Sequence, residues 1–531
     1  YYHKANVQGD TTKYIPSLWQ STYWQIDLGI SPWAKSSPII IKNSQYFNGD
    51  WTAGEPNAFS SGRVFYSRNS GDWNNTSNWS TDRSLQHSGP TSSYYPGLLF
   101  ETDTVNIDGH TIVYNLDSCR IDSLRIGGTN PAPSNGILQF GTNLPNKRLF
   151  TRQVFLDNDN GSIVENSGLS TSDTLYISKN LLNNSTSGML FQDASANHKL
   201  ALKFNLAGNS IISGNGKFSK INSLTISKTN GLSDSLIVSS SSFTDSSMTA
   251  TPSFIFNTGV LVNNTTDTLL ISNPNFDIDL KPLSAIYLKT GRILTKRNLT
   301  LYANSNITID GGILDVGDNS NEHLYFQTNS KINLINGEIN TAGGLIRQNP
   351  SSYPEITISN NSIFRVGKIG NNTADPSFDM RSVSSILNMN GGRIIVANAN
   401  PNAGSDIEIN AENGTLMTAG IIQLGDSNFT TSSNDFKIAG SMPIYDLHLV
   451  SPINTNNYHS KIASLNFSIN HNIYINERQL LDLNGNIINL KGDFNNYGNL
   501  NATPSASTTQ PWRFLLNGAG DQYFKNFNLS I

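Results

Sequence analysis

Along much of this chain, apolar and polar residues alternate in short runs, and a small polar corner closes each run. Ile307-Thr308-Ile309 leads through Asp310-Gly311-Gly312 into Ile313-Leu314-Asp315-Val316. The phrase returns as Ile332-Asn333-Leu334, Asn336-Gly337 and Ile339, and again as Ile356-Thr357-Ile358, Asn360-Asn361 and Phe364. It returns once more as Leu387-Asn388-Met389, Gly391-Gly392 and Ile394, and as Leu481-Asp482-Leu483, Asn484-Gly485 and Ile487-Ile488. The corners at 312, 337, 362 and 392 lie 25, 25 and 30 residues apart. Apolar residues two apart predict strands, and Asn and Gly supply the left-handed backbone of tight corners. Self-similarity at this period predicts stacked units that bury their apolar faces only against their neighbours. The expected class is all-β: a β-solenoid, read as a right-handed parallel β-helix, in which Ile309, Leu334 and Ile358 stack on one another. A string of small sandwiches is the alternative, but its strands would alternate direction, with turns every 8–12 residues or so.

Composition sharpens this picture. Charged residues make up 14% of the chain and hydrophobic ones 37%, while Asn alone is about one residue in eight. Many Asn suit many corners, and apolar residues persist to the end, so the chain is not a disordered one. The formal net charge is −4 and no basic block occurs, which argues against nucleic acid as a partner. No apolar run is long enough for a membrane span. The single cysteine, Cys119, excludes a disulfide framework and is expected to be a small buried apolar residue.

Six of the seven Trp precede residue 80. Residues 1–62 read as an irregular aromatic segment, either the tail of a preceding domain or a cap. Residues 63–115 read as an entry unit, with Trp73 and Trp79 covering the open end of the stack and His110 holding a turn by a hydrogen bond. Residues 116–511 are the solenoid, and 512–531 the start of a further repeat. The chain begins at Tyr1 and stops within an apparent strand, so it reads as part of a longer polypeptide.

The entry unit carries a resemblance. Phe65-Tyr66-Ser67, Ser70-Gly71-Asp72-Trp73, Asn78-Trp79-Ser80, Pro96-Gly97 and Asp108-Gly109-His110-Thr111 resemble a phrase common in very large repeat-rich surface proteins of Bacteroidota. Residues 51–59 and Gly518-Ala519-Gly520-Asp521-Gln522 are similar to other phrases of those proteins. They are adhesin-like, are often associated with gliding motility, and are exported by the type IX secretion system. The resemblance therefore implies an extracellular, outer-membrane-associated location and contact with type IX machinery during export. It also implies O-glycosylation at Asp-Ser/Thr followed by an aliphatic residue or Thr. The candidates are Thr11, Thr104, Ser123, Thr174, Ser235 and Thr268. An Asp-Ser/Thr step at a corner also serves a solenoid without any modification.

Candidate chemistry is sparse. Parallel β-helices suit polysaccharide lyases and glycosidases, whose sites need convergent carboxylates or a Ca²⁺ cluster beside a basic residue. Asp310, Asp315 and Asp318 form the most acidic group of the tight repeats, and Asp310 and Asp315 fit solvent-facing positions. Asp157-Asn158-Asp159-Asn160-Gly161 resembles part of a calcium loop without its later acidic ligands, which leaves Asp157 and Asp159 as weak metal candidates. The His are dispersed without ligand spacing. Trp19, Trp24, Trp33 and Trp51 are candidates for stacking on sugar rings. No catalytic residue, cofactor or convergent pair of carboxylates with a base is expected. The expected function is a non-enzymatic stalk or adhesin segment touching surface glycans or other surface proteins. A carbohydrate-active enzyme and a lectin-like module are the alternatives.

Overall fold

A computed structural model describes residues 15–19, 24–26, 51–54, 63–83, 92, 94–128, 135–141, 144–157, 161–165, 172–185, 191–193, 199–216, 218, 221–243, 254–271, 276–412, 416–429, 435–451, 458–464, 466–501 and 513–527. Among these the regular elements are strands with occasional single turns of 3₁₀ helix. No described helix is long and apolar enough to cross a membrane. The chain divides into two compact units, 1–203 with 212–222 and 204–211 with 223–531. The division falls within the stretch expected to be solenoid, and both units carry parallel solenoid turns.

The second unit shows the repeat in its regular form. A first face stacks Ser284–Leu288, Asn306–Ile309, Ser330–Leu334, Pro354–Ile358 and the start of Ile386–Val396, all parallel. A second face stacks Arg292–Thr295, Ile313–Val316, Glu338–Thr341, Ile363–Val366 and the end of Ile386–Val396. A third stacks Ile278–Leu280, Leu299–Leu301, Leu324–Phe326, Leu345–Arg347 and Phe378–Met380. Ile309, Leu334, Ile358 and Met389 are direct partners in register, as are Ile307, Ile332, Ile356 and Leu387. All eight are at most 1% exposed. The period-2 pattern thus places one apolar column inside each face, and parallel stacking supplies backbone partners for it.

The corner between the first and second faces is the one the repeated phrase marks. Gly312, Gly337 and Gly392 there have φ of 79°, 109° and 72°, and Asn360 has φ 53°. A Cβ on Gly312 would collide with the carbonyl oxygen of Gly291 one turn below, and one on Gly337 with that of Gly312. Glycine is required at these positions by both backbone conformation and closeness. The phrase at 481–488 departs from expectation. Gln479–Asp482 belongs to the third face and Ile487–Leu490 to the first, so this Asn-Gly turns a different corner of the prism. Strand, Asn-Gly, strand is a local signal and does not encode which corner it builds.

The first unit also has three-sided turns, but two of its faces share long bent strands. Ser118–Ile126, Arg148–Leu156 and Ser172–Asn183 pair in parallel along their lengths, with a register shift between Thr151 and Gln153 at the bend. Thr111–Tyr114, Ile137–Phe140 and Ser162–Glu165 form the remaining face. Thr104–Ile107 pairs with the later half of Ser118–Ile126, and Val64–Ser67 pairs with Thr104–Ile107 in turn. Within residues 1–62, expected to be irregular, Ile15–Trp19 pairs antiparallel with Trp24–Ile26 and with Trp51–Gly54.

The entry unit closes over a chain of rings. Trp73 and Trp79 are fully buried, and edge contacts at 5.2–6.4 Å link Phe65, Trp79, Trp73 and Tyr114, with Phe140 tilted beyond. Each indole N–H has a partner: Trp73 donates to Pro96 O at 3.0 Å and Trp79 to Trp73 O at 2.7 Å. Buried indoles with satisfied donors are what a cap requires. Cys119 packs beside them at 6% exposure, and burial pushes its thiol up to about 12, so it is a core residue.

Candidate functional site

The outward residues of the first unit stand in register from turn to turn. Tyr66, Asn106, Arg125 and Phe155 form one such row. Arg120, Phe150 and Tyr176 form another. In the second row Phe150 and Tyr176 stack at 4.2 Å, the Arg120 guanidinium sits 4.5 Å over Phe150, and Lys203 lies 5.4 Å from the Tyr176 ring. In the first row Arg125 lies 5.2 Å over Phe155. These are cation–π contacts on an accessible surface, with about half of the Arg120 and Arg125 side chains exposed.

The first row opens into a cleft of about 270 Å³ lined by Tyr66, Arg83, Asn106, Asp108, Arg125 and Asp157, with Gly127 and Gly128 among its other walls. The Ser67 hydroxyl holds the Asp108 backbone beside it. Asp108 N–H donates to Ser67 Oγ at 2.9 Å, Ser67 Oγ donates to Asp108 O at 3.1 Å, and His110 Nδ1 lies 3.0 Å from the same hydroxyl. His110 therefore does join the hydrogen-bonded turn. Gly128 has no side chain where the Asp108 carboxylate packs, and a Cβ there would overlap it. Asp157 is ion-paired with Arg125 at 2.8 Å. Among the described residues no carboxylate lies within ion-pair distance of Arg83, which is exposed.

Two carboxylates and two guanidiniums in one cleft correct the expectation that no such cluster exists. The acids come from separate turns, and only stacking brings them together. Nothing local in the sequence marks Tyr66, Arg83, Asn106, Asp108 and Arg125 as neighbours. Asp157 holds a guanidinium here, and Asp159 lies outside the described residues. Among the described residues no group of three or more His, Cys, Asp or Glu is placed to hold a metal ion.

In the second unit charges also converge, but there they close on one another. Asp315 was expected to face solvent, yet it is 4% exposed: Arg292 reaches it at 2.5 Å and Lys368 at 3.4 Å. It does project from the outer side of the second face, in register with Asn340 and Arg365, but later residues fold over it. Arg365 donates to Asn340 Oδ1 at 2.5 Å, to Asp426 at 2.7 Å and to Glu338 at 3.3 Å, and it lies 5.5 Å from the Phe429 ring. This is a second pair of carboxylates around one base, held shut. Asp310 is exposed and accepts from Tyr287 OH at 3.1 Å, while the exposed Asp318 offers its N–H to Glu322.

The Asp-Ser/Thr steps have structural roles. Asp103 accepts from Arg63 N–H and Gly97 N–H at 3.1 and 2.9 Å, and Asp173 accepts from Lys147 N–H at 2.7 Å while pairing with its buried ammonium. Asp122 pairs with Arg152 at 2.8 Å. Thr268 is exposed, and Thr104, Ser123, Thr174 and Ser235 are half-buried. Thr11 and Trp33 lie outside the described residues. Trp19, Trp24 and Trp51 lie in the small antiparallel sheet.

No protein-family model matches the chain, and neither a curated protein nor a solved structure matches it.

Proposed function

We propose that the chain is a non-enzymatic structural and adhesive segment of an exported cell-surface protein, serving as stalk or adhesin in surface attachment or gliding. The observation that carries this reading is the division of labour between charges. In the second unit later residues close over Asp315 and Arg365 on the outer side of the second face, while the first unit, which also buries the Lys147–Asp173 pair, leaves the guanidiniums and rings of two outer rows accessible. A sealed stack suits load-bearing, and an open polar and aromatic face suits contact. The Bacteroidota source and the type IX export route rest on the resemblance of the entry unit, of residues 51–59 and of residues 518–522. Added mass at Thr268, the most exposed of the described glycosylation candidates, in protein from the native source would support them.

A second reading, a carbohydrate-active enzyme, draws on Asp108 and Asp157 sharing a cleft. One experiment separates the two. Beads coated with the segment are tested for retention on polysaccharide surfaces, and the same surfaces are assayed for reducing ends and unsaturated sugars. Retention without product is the expected result. Product release abolished by Asp108→Asn or Asp157→Asn would replace the adhesive reading with the enzymatic one.

A further inference from the structure

We infer that the cleft beside Tyr66 binds a single acidic sugar residue, a uronate, within a polysaccharide lying along the Tyr66–Asn106–Arg125–Phe155 row. This rests on the adhesive reading and names the ligand class of its contact face. Size sets the first limit. About 270 Å³ is slightly below the range of pockets for drug-sized ligands, and suits one ring with its substituents. Charge sets the second. Arg125 is neutralised by Asp157 at 2.8 Å, whereas Arg83 has no carboxylate within reach among the described residues. One uncommitted guanidinium suits one carboxylate, which it can grip with two parallel N–H donors. Two acids in the same walls repel a densely sulfated or phosphorylated chain.

The remaining groups suit hydroxyls and a ring face. Asp108 and Asp157 are acceptors for sugar O–H groups, and the Asn106 amide and Tyr66 hydroxyl both donate and accept. Phe155 continues the row on the turn beyond Arg125, and its ring suits the apolar face of an adjoining sugar. Successive turns bring these side chains about 4.8 Å apart, so a linear polymer meets one side chain per turn.

The test uses the whole segment and defined probes: oligogalacturonate, the matched neutral oligogalactose, and inorganic sulfate, each titrated calorimetrically. The expected result is binding of oligogalacturonate at least tenfold tighter than of oligogalactose, with no measurable sulfate binding. Arg83→Gln should weaken oligogalacturonate at least tenfold and leave the melting temperature unchanged, because Arg83 is exposed and makes no ion pair with a described residue. Tyr66→Phe serves as a second, milder variant and should weaken it severalfold. Equal binding of acidic and neutral oligomers, or affinity indifferent to Arg83→Gln, would overturn the inference. If beads coated with the segment still adhere to neutral polysaccharide in that case, the adhesive function stands and only the uronate assignment falls. If no surface retains them, the function itself falls.

Discussion

The two units set arginines on the outer side of the same kind of strand but cover them differently, although each also buries an ion pair, Lys147–Asp173 in the first and Arg365–Asp426 in the second. In the first, Arg120, Arg125, Arg148 and Arg152 project outward, about half exposed, each paired with one carboxylate. In the second, Arg365 projects from the same kind of strand yet its side chain is 9% exposed, because Asp426 and Phe429 fold back over it. An exposed pair is worth little to folding and is free to exchange partners. A buried one contributes little net energy while intact but costs several kcal/mol when halved. A solenoid's outer rows are therefore not all surface: the loops between strands decide which row stays open and which becomes a second, polar core.

The largest expected effect lies at the cap. Trp79→Ala removes a fully buried ring together with the hydrogen bond to Trp73 O, and should cost the first unit about 3–5 kcal/mol. Chemical denaturation followed by fluorescence should show that loss. A change below about 1 kcal/mol would mean the ring chain is not what closes the entry unit. Next comes the buried charge. Arg365→Met strands Asp426 and Glu338 without their base and should destabilise the second unit by about 3 kcal/mol. Arg365→Met combined with Asp426→Leu should recover much of this, because removing both partners removes the unpaired charge.

Acidity tests the second unit through two buried groups, His323 and Asp406. Burial, partly offset by Asp375, lowers His323 to about 4, and its Nδ1 accepts from Gly344 N–H at 2.8 Å as only a neutral ring can. An unfolded His binds its proton near 6.5, so the stability from this group is present above 6.5 and is lost as pH falls from there towards 4. Burial raises Asp406 to about 7 despite backbone N–H donors from Asn400 and Lys437. Its sign is opposite: the folded state holds a proton between about 4 and 7 that the unfolded state has released, so this contribution falls as pH rises through that window. Melting curves from pH 4 to 7 should show that His323→Asn removes the acid-side loss. Asp406→Asn should remove the decline towards neutral pH. Identical pH profiles in variant and parent would rule out the assigned group. The smallest effect belongs to the open face: Arg152→Gln breaks an exposed pair and should change stability by less than about 1 kcal/mol, vanishing in high salt.

What was legible in the chain was whatever is local. Alternation at 307–309, 332–334 and 356–358 revealed the inner columns, and paired Gly and Asn revealed the corners, because strand burial and left-handed backbone each impose a residue type at a fixed offset. Trp73 and Trp79 were legible as a cap because large apolar rings before the first regular turn have nowhere else to go. Asp315 was misjudged because alternation reports only the side of a strand, and the folded-over Lys368 lies 53 residues away. The Arg365–Asp426 contact spans 61 residues and the loops between turns vary in length, so no spacing announces it. The Tyr66 cleft escaped for the same reason: stacking, rather than a motif, assembled Arg83, Asp108, Arg125 and Asp157.

The glycine corner has a consequence for how such a chain can change over generations. Gly312 sits on Gly291 O and Gly337 on Gly312 O, so these two turns admit no side chain at that point, whereas the next turn carries Asn360 in the left-handed region and one more residue between Ile358 and Phe364 than their partners Leu334 and Ile339 have between them. The extra residue is absorbed within the corner itself, because Phe364 still pairs with Ile339 and stays buried. Loss or duplication of one whole turn, which is 25 residues from Ile307 to Ile332 and 24 from Ile332 to Ile356, leaves the strands of each face their partners. Genes for such proteins should therefore differ from one another by whole turns in the stacked strands and by single codons at the corners and in the loops between faces.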